Sequence, residues 1–316
     1  MLTLVLESND PVFNLAAEDL LLHESTDDFL VLSVNNPSVI IGKHQVAHRE
    51  VNARLTDMDG IPVLRRISGG GTVYHDTGNL NFAFIRQSEE GKQVDFRYYT
   101  APVIDFLASL GIKAVFEGKN DLTVDGLKIS GNAEHVFRER VLHHGTLLFD
   151  ASLTDMKKYL KPDSENYSTR GVASNRTSVT NLKGRLDGIE TMEQFMKRME
   201  TYFFTSVPGL KKYELTFDQH KKIENLIESK YKRWDWNWGY GPPYTFTSSF
   251  DVSDKRHTCR LLVKDGIIWE SDITGSKELA SAGKSLIGCR HMYMDMLKIF
   301  RDSNIPVSDE EVYGFF

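Results

Sequence analysis

The stretch from Arg65 to Asp76, Arg-Arg-Ile-Ser-Gly-Gly-Gly-Thr-Val-Tyr-His-Asp, constrains this 316-residue chain more than any other. Three consecutive glycines let the backbone come close to a ligand and adopt positive φ. Successive amide N–H groups in such a loop can converge on an anion. Arg65 and Arg66, just before it, offer planar, permanently charged forks for phosphate or carboxylate. An aromatic, a histidine and a carboxylate follow at once. The combination points to a nucleotide phosphate. The plainer alternative is a glycine-rich hairpin tip with solvated arginines.

A second block lies downstream. It contains Asn120-Asp121, then Gly126-Leu127-Lys128-Ile129-Ser130-Gly131, then His143-His144-Gly145-Thr146-Leu147-Leu148. Leu127 and Ile129 alternate with Lys128 and Ser130, so a strand is expected with Lys128 and Ser130 on one face. Taken alone, Lys128 fits a solvated strand residue and the two histidines fit hydrogen-bonded strand positions. Neither Cys259 nor Cys289 is near the histidines, and no zinc-ligand spacing appears.

Taken together, the two blocks resemble the lipoate–protein ligase A family of the biotin/lipoate ligase superfamily. That family carries Arg-Arg-x-Ser-Gly-Gly-Gly-x-Val-x-His-Asp-x-Gly-Asn, matched by Arg65 to Asn79. Its Asn-Asp is matched by Asn120-Asp121, its Lys-x-Ser-Gly by Lys128 to Gly131, and its His-His-Gly-Thr-Leu-Leu by His143 to Leu148. Tyr159-Leu160-Lys161-Pro162 and Arg176 to Leu182 follow in the same order. The resemblance implies an α/β (α+β) fold: a biotin/lipoate-ligase-like catalytic domain of mixed sheets flanked by helices, over residues 1–244. A small α/β accessory domain would occupy 245–316 and move during the reaction cycle.

Composition is consistent with this. Charged residues make up 26% and the net charge is −6, which disfavours indiscriminate nucleic-acid binding. No apolar run approaches a membrane span, and the acidic N-terminus lacks a basic leader. Two cysteines give no disulfide framework and suit a reducing cytoplasm. A cytoplasmic monomer is expected, with no nucleic-acid or membrane partner.

Along the chain, strands are expected at 2–6, 29–34, 38–41 and 79–86. Asp10-Pro11 starts a helix running to about His23, and a second helix covers about 95–110 and ends at Gly111. Residues 113–149 are strand-rich. Residues 161–185, polar and rich in Ser, Asn and Arg, read as a mobile loop. Helices are expected at 191–204 and 216–232. Trp234, Trp236 and Trp238 read as a packed connector. A hairpin then turns at Lys264-Asp265-Gly266 between 257–264 and 267–273, followed by helices at 276–284 and 290–302. Gly283-Lys284-Ser285 is not a Walker A loop, because position 278 is Glu.

The activity implied is ATP-dependent. Lipoate is activated as lipoyl-AMP, then passed to a lysine of a lipoyl domain, in 2-oxoacid dehydrogenase E2 subunits or the glycine-cleavage H protein. Lys128 is the catalytic candidate, lying between two anions that must meet. The resemblance places ATP on Arg66, Gly71, Thr72, Val73, Tyr74, Asp121 and Lys128. It places lipoate on Ser68, Gly69, Gly70, His75, Lys128, His144 and Gly145. Asp121 is the candidate ligand for Mg²⁺. One departure is Glu134-His135, where many members have Tyr-Arg, which would weaken phosphate binding or adenylation. The alternatives are a lipoyltransferase using preformed lipoyl-AMP, an octanoyltransferase, and a silent lipoate- or nucleotide-binding regulator. The octanoyltransferase needs a cysteine where this chain has Pro162-Asp163-Ser164. The regulator reading expects loss of Lys128, which is present.

Overall fold

A computed structural model describes residues 1–88, 94–161, 165–175, 177–252, 255–305 and 307–316. Pro162 to Ser164 and Arg176 therefore lie outside the described residues.

The strands are β1 (Leu2–Val5), β2 (Phe29–Val34), β3 (Ser38–Ile41), β4 (Val63–Arg65), β5 (Val73–His75), β6 (Asn79–Gln87), β7 (Val115–Glu117), β8 (Asp121–Val124), β9 (Leu127–Phe137), β10 (Arg140–Leu148), β11 (Tyr167–Thr169), β12 (Lys211–Lys212), β13 (Tyr244–Val252), β14 (Lys255–Lys264) and β15 (Ile267–Thr274). Eight of them form one mixed sheet in the order β12-β1-β2-β6-β10-β9-β8-β7.

The period-2 alternation of strands divides this sheet into two faces. Leu30, Leu32, Leu80, Phe82, Phe84 and Leu147 point one way, into a core closed by the helices Phe96–Ser109 and Met192–Ser206. Val31, Ala83, Ile85 and Leu142 point the other way, against the helices Pro11–Glu24 and Phe217–Leu226. Both faces are covered, so β2 is buried along its whole length.

Helix Pro11–Glu24 starts as its sequence suggests, with Asp10 accepting from the Val12 N–H and Pro11 in the first turn. It buries three polar residues, Asn14, Glu18 and Asp19. Asp19 accepts from Lys230 Nζ (2.7 Å) and Tyr231 Oη (2.8 Å) and pairs with His23 Nδ1 (2.8 Å). Burial alone would raise its carboxyl pKa, but these partners outweigh burial and hold it at about 2.

A three-stranded sheet, β4-β3-β5, carries the glycine-rich loop. β4 and β5 flank β3, so residues 66–72 arch over the end of β3. A Cβ at Gly42 would come within 2.1 Å of the Gly70 carbonyl oxygen, which fixes Gly42 as glycine.

The third sheet, β11-β13-β14-β15, packs on the helices Lys277–Ser285 and Tyr293–Asp302. The expected turn is present, with Asp265 and Gly266 at φ 50° and 70°. Two features differ from the sequence expectation. β13 is an added strand, and β11 comes from within 161–185. That segment thus contributes a strand to the C-terminal sheet instead of forming a free loop.

The connector is held by Arg65. Its fully buried guanidinium donates to the carbonyls of Trp236 (2.9 Å), Gly42 (3.0 Å), Lys43 (3.1 Å), Gln45 (2.8 Å) and Asn237 (3.1 Å). Trp236 Nε1 returns a bond to the Arg65 carbonyl (2.8 Å). Burial lowers the guanidinium pKa to about 10, which leaves it charged at neutral pH. Arg65 is therefore a structural hub and does not offer its fork to a ligand. Arg65→Met should destabilise the protein by roughly 3 kcal/mol or more, because several buried carbonyls lose their donor at once. Urea unfolding checks this; a wild-type midpoint would contradict the assignment.

Candidate active site

The glycine loop is shaped from inside by Arg66. Its Nε donates to Ser68 Oγ (2.9 Å), Nη1 to the Ile40 carbonyl (3.2 Å), and Nη2 to the carbonyls of Gly69 (2.6 Å) and Gly71 (2.8 Å). Gly70 sits at φ 84°, a region that favours glycine. With two loop carbonyls turned to Arg66, the amides of Gly69, Gly70 and Gly71 donate to no other described residue. Such a run of free amides is a site for an anion. Burial pushes Arg66 down to about 10, which still leaves its charge in place.

A hydrogen-bond chain ties this loop to the large sheet. Ser68 Oγ bonds His144 Nε2 (2.6 Å), and His144 Nδ1 bonds Glu18 Oε2 (2.7 Å). The carboxylate only accepts, so His144 Nδ1–H donates to Glu18, which leaves Nε2 to the serine hydroxyl.

Beside the loop is a cavity of about 540 Å³. Arg66, Gly70, Gly71, Thr72, Val73, His75, Asp121, Lys128, His144 and Gly145 all line it. Ser68 and Gly69 lie behind the lining and act through Arg66 and His144. Tyr74 is placed away from the cavity. Val73 and His75 face inward, so β-strand alternation turns the Tyr74 ring outward onto Tyr159. Gly145 lines the cavity through its backbone. On the opposite face a Cβ there would meet Asn132 Oδ1 at 2.2 Å and Phe82 at 2.5 Å.

Lys128 Nζ pairs with Asp121 Oδ1 at 2.7 Å. Its backbone is clamped by the 177–182 segment, donating to the Ser178 carbonyl and accepting from the Thr180 N–H, each at 2.9 Å. A β-bulge intervenes between Lys128 and Ser130. The expected shared face is therefore corrected: Lys128 lines the cavity with Gly131, while Ser130 turns to the other side and accepts from Asn132 Nδ2 (3.2 Å).

The same alternation separates the two histidines. His143 is buried on the far face, stacked on Tyr99 and bonded to Glu134 Oε1 (2.8 Å). Burial raises Glu134 to about 7 and lowers His143 to about 3, so it disfavours charge on both partners. Glu134, the departure noted above, is thus occupied within the sheet and points away from the cavity.

Several site residues carry no motif signal. Ser174 Oγ accepts from the Thr72 N–H (2.9 Å) and Gln45 Nε2 (3.1 Å) and donates to Glu50. Gln45 Oε1 in turn accepts from Thr72 Oγ1 (2.8 Å) and the Gly42 N–H (2.9 Å). This network closes residues 172–175 over the loop. Arg170 is exposed. Asn14 and Glu18 had a readable signal, since two polar residues four apart in an apolar helix share one face.

A family model, the lipoyl protein ligase A/B catalytic domain, matches residues 10–204. The chain belongs to that family. It is 37% identical over 271 residues to the lipoate-protein ligase LplJ of Bacillus subtilis, covering 84% of this chain and 82% of that one. Among solved structures, P. falciparum LipL1 in complex with lipoate matches at TM-score 0.63 and 25% identity, covering 99% of this chain and 97% of that one. A lipoate-protein ligase A bound with ATP matches at 0.64 and 25%, covering 75% and 98%. A bi-partite lipoate protein ligase studied with its E2 lipoyl domain from Thermoplasma acidophilum matches at 0.64 and 26%, covering 76% and 96%. The fold is therefore that of the biotin/lipoate ligase superfamily.

His75 accepts from Asn35 Nδ2 (2.9 Å), and burial lowers its pKa to about 3. Its folded pKa lies below the unfolded value of 6.5, so its contribution is present above pH 6.5 and is lost as pH falls toward 3. His143 behaves alike, while Glu134, raised to about 7, gains as pH falls and offsets one histidine. Urea midpoints taken from pH 7 to 5 should fall. His75→Gln should fall less, by about 1.4 kcal/mol per pH unit; an identical slope would contradict its burial as neutral imidazole. Ser174→Ala should leave the melting temperature within a few degrees and raise the KM for nucleotide about tenfold. Initial rates against ATP concentration check it, and an unchanged KM would show that the closure is not needed.

Proposed function

We propose that the chain is an ATP-dependent lipoate–protein ligase acting in the cytoplasm on acceptor lipoyl domains, those of 2-oxoacid dehydrogenase E2 subunits and the glycine-cleavage H protein. The observation that carries this reading is Lys128. It is paired with a carboxylate and clamped by its backbone, in a cavity also lined by Gly70 and Gly71 of the loop with the free amides.

The chemistry needs that arrangement. A lipoate carboxylate oxygen attacks the α-phosphorus of ATP, the bond to the bridging oxygen breaks, and pyrophosphate leaves. Two anions must meet, and Lys128 Nζ supplies the charge between them. Arg66 contributes indirectly, by holding the loop whose amides bind phosphate. Thr72 and Val73 line the nucleotide side; Tyr74 contributes through packing. His75 and His144 line the acyl side. The acceptor lysine amine then attacks the acyl carbonyl carbon, AMP leaves, and the amine loses a proton.

Among the described residues no cluster of three or more His, Cys, Asp or Glu could hold a metal. Asp121 fits Mg²⁺ in the way that ion is usually held, by a single carboxylate together with substrate phosphates. When bound there, Mg²⁺ would neutralise phosphate charge.

The octanoyltransferase alternative needs a thiolate at the cavity. Cys259 lies in β14 and Cys289 in the turn after the helix Lys277–Ser285, both in the C-terminal core, and burial raises their thiols to about 12 and about 11. Residues 245–316 we assign to an accessory domain. Among the described residues no helix is long and apolar enough to cross a membrane.

Incubation with Mg-ATP, lipoate and an apo lipoyl domain should add one lipoyl mass to the acceptor. Modification only with supplied lipoyl-AMP would make the protein a transferase. Lys128→Ala should melt like wild type and lose about 10²-fold or more in rate. A folded, fully active variant would remove Lys128 from the mechanism.

A further inference from the structure

Behind the cavity, on the far face of the large sheet, a buried hydrogen-bonded line runs from a carboxyl to the turn that carries Asp121. Glu134 Oε1 lies 2.8 Å from His143 Nδ1, and His143 Nε2 lies 3.3 Å from Asn132 Oδ1. The Glu134 and His143 side chains are 2% and 0% exposed. Asn132 is fastened in turn to Asn120. Its backbone N–H (3.0 Å) and its Nδ2 (2.9 Å) both donate to the Asn120 carbonyl, and Asn120 Nδ2 donates back to the Asn132 carbonyl. Asn120 directly precedes Asp121, the carboxylate paired with Lys128 Nζ.

The protons along this line can be placed. A backbone carbonyl only accepts, so the NH2 group of Asn132 faces Asn120 and Oδ1 faces His143. Oδ1 also only accepts, so His143 Nε2 carries a proton. A bare Nδ1 then needs a donor, which makes Glu134 a carboxylic acid; an Nδ1–H instead makes the ring cationic and Glu134 a carboxylate. Either way one proton lies between Oε1 and Nδ1. Burial favours the acid form and holds the Glu134 carboxyl at about 7. Among the described residues, the other titratable groups facing the pair are Asp95 and Tyr99, from the helix over this face, and His144, next to it on β10. Asp95 favours ionisation of Glu134 through its backbone N–H and opposes it through its charge.

Loss of the shared proton to solvent rearranges the line. A carboxylate at Glu134 draws the remaining ring proton to Nδ1, which leaves Nε2 bare against Asn132 Oδ1. Two acceptors then face each other in a buried site. Oδ1 has no room beside Gly145, where a Cβ would lie 2.2 Å from it. The Asn132 amide must rotate, and its Nδ2 bond to Asn120 is lost. Because the Glu134 value is raised from 4.5, the intact line is complete below that value and is lost as pH rises through about 7.

We propose that Glu134 and His143 are positioning residues for Lys128: the proton held between them keeps Nε2–H on Asn132, and Asn132 thereby holds the Asn120–Asp121 turn that orients the lysine. The proposal rests on the ligase reading above. It gives Glu134 a part in adenylation without contact to either substrate.

The test is lipoate-dependent pyrophosphate release at saturating ATP and lipoate, for wild type and Glu134→Gln, at pH 6 and pH 8.5. Glutamine donates to His143 Nδ1 at both, so it keeps the line that wild type loses. The ratio of variant to wild-type kcat should rise about 3- to 10-fold from the lower pH to the higher, the worth of one hydrogen bond. Ionisation of ATP is common to both proteins and cancels in the ratio. Melting checks the fold of the variant, and a flat ratio in a folded variant overturns the proposal. Should the variant fail to fold, the ring nitrogen NMR shifts of His143 in wild type decide. Nε2–H at pH 6 should give way to Nδ1–H at pH 8.5; a bare Nε2 at pH 6, or a ring unchanged between the two, overturns the proposal. Wild type that releases no pyrophosphate with lipoate at either pH would remove the ligase reading and this proposal with it.

Discussion

The site depends on one buried guanidinium. Arg66 turns the carbonyls of Gly69 and Gly71 inward, and the three glycine amides are left without internal partners. A flexible glycine run would otherwise sample many conformations and bind an anion weakly. Fixing it beforehand moves the ordering cost from binding to folding. Arg66 can do this because burial lowers its pKa only to about 10, so the charge survives.

The fixed loop is then registered against the large sheet. Glu18 from the first helix, His144 from β10 and Ser68 from the loop form one hydrogen-bonded line that ends on Arg66. Ser174 and Gln45 fasten the opposite side of the loop. Lys128 lines the same cavity as Gly70 and Gly71 of that loop, held by its own bulge and by Asp121. Positive charge and the loop with the free donors thus meet at one cavity, which suits joining a carboxylate to a phosphate.

Much of this was legible in the sequence because it is local. The N-cap at Asp10, strands 29–34 and 38–41, and the Asp265-Gly266 turn follow from capping, β-branching and turn chemistry. The motif residues converge because strand order brings distant segments together. What the sequence concealed was direction and partnership. The two consecutive arginines look alike, yet Arg65 braces the tryptophan connector and Arg66 braces the loop. Alternation alone paired Lys128 with Ser130; a bulge, which has no signature there, separates them. The polar stretch after residue 161 read as mobile, but Ser174 and β11 find partners far away in the chain. Long-range pairing of this kind cannot be read from local composition.

The central claim is that the cavity activates a carboxylate with ATP. Isotope exchange between pyrophosphate and ATP, with no acceptor protein present, tests it most directly. Exchange should depend on lipoate, because acyl-adenylate formation is reversible and labelled pyrophosphate can replace the pyrophosphate released while the adenylate stays bound. Exchange that proceeds without lipoate, or no exchange in a protein that still modifies its acceptor from supplied lipoyl-AMP, would contradict the account.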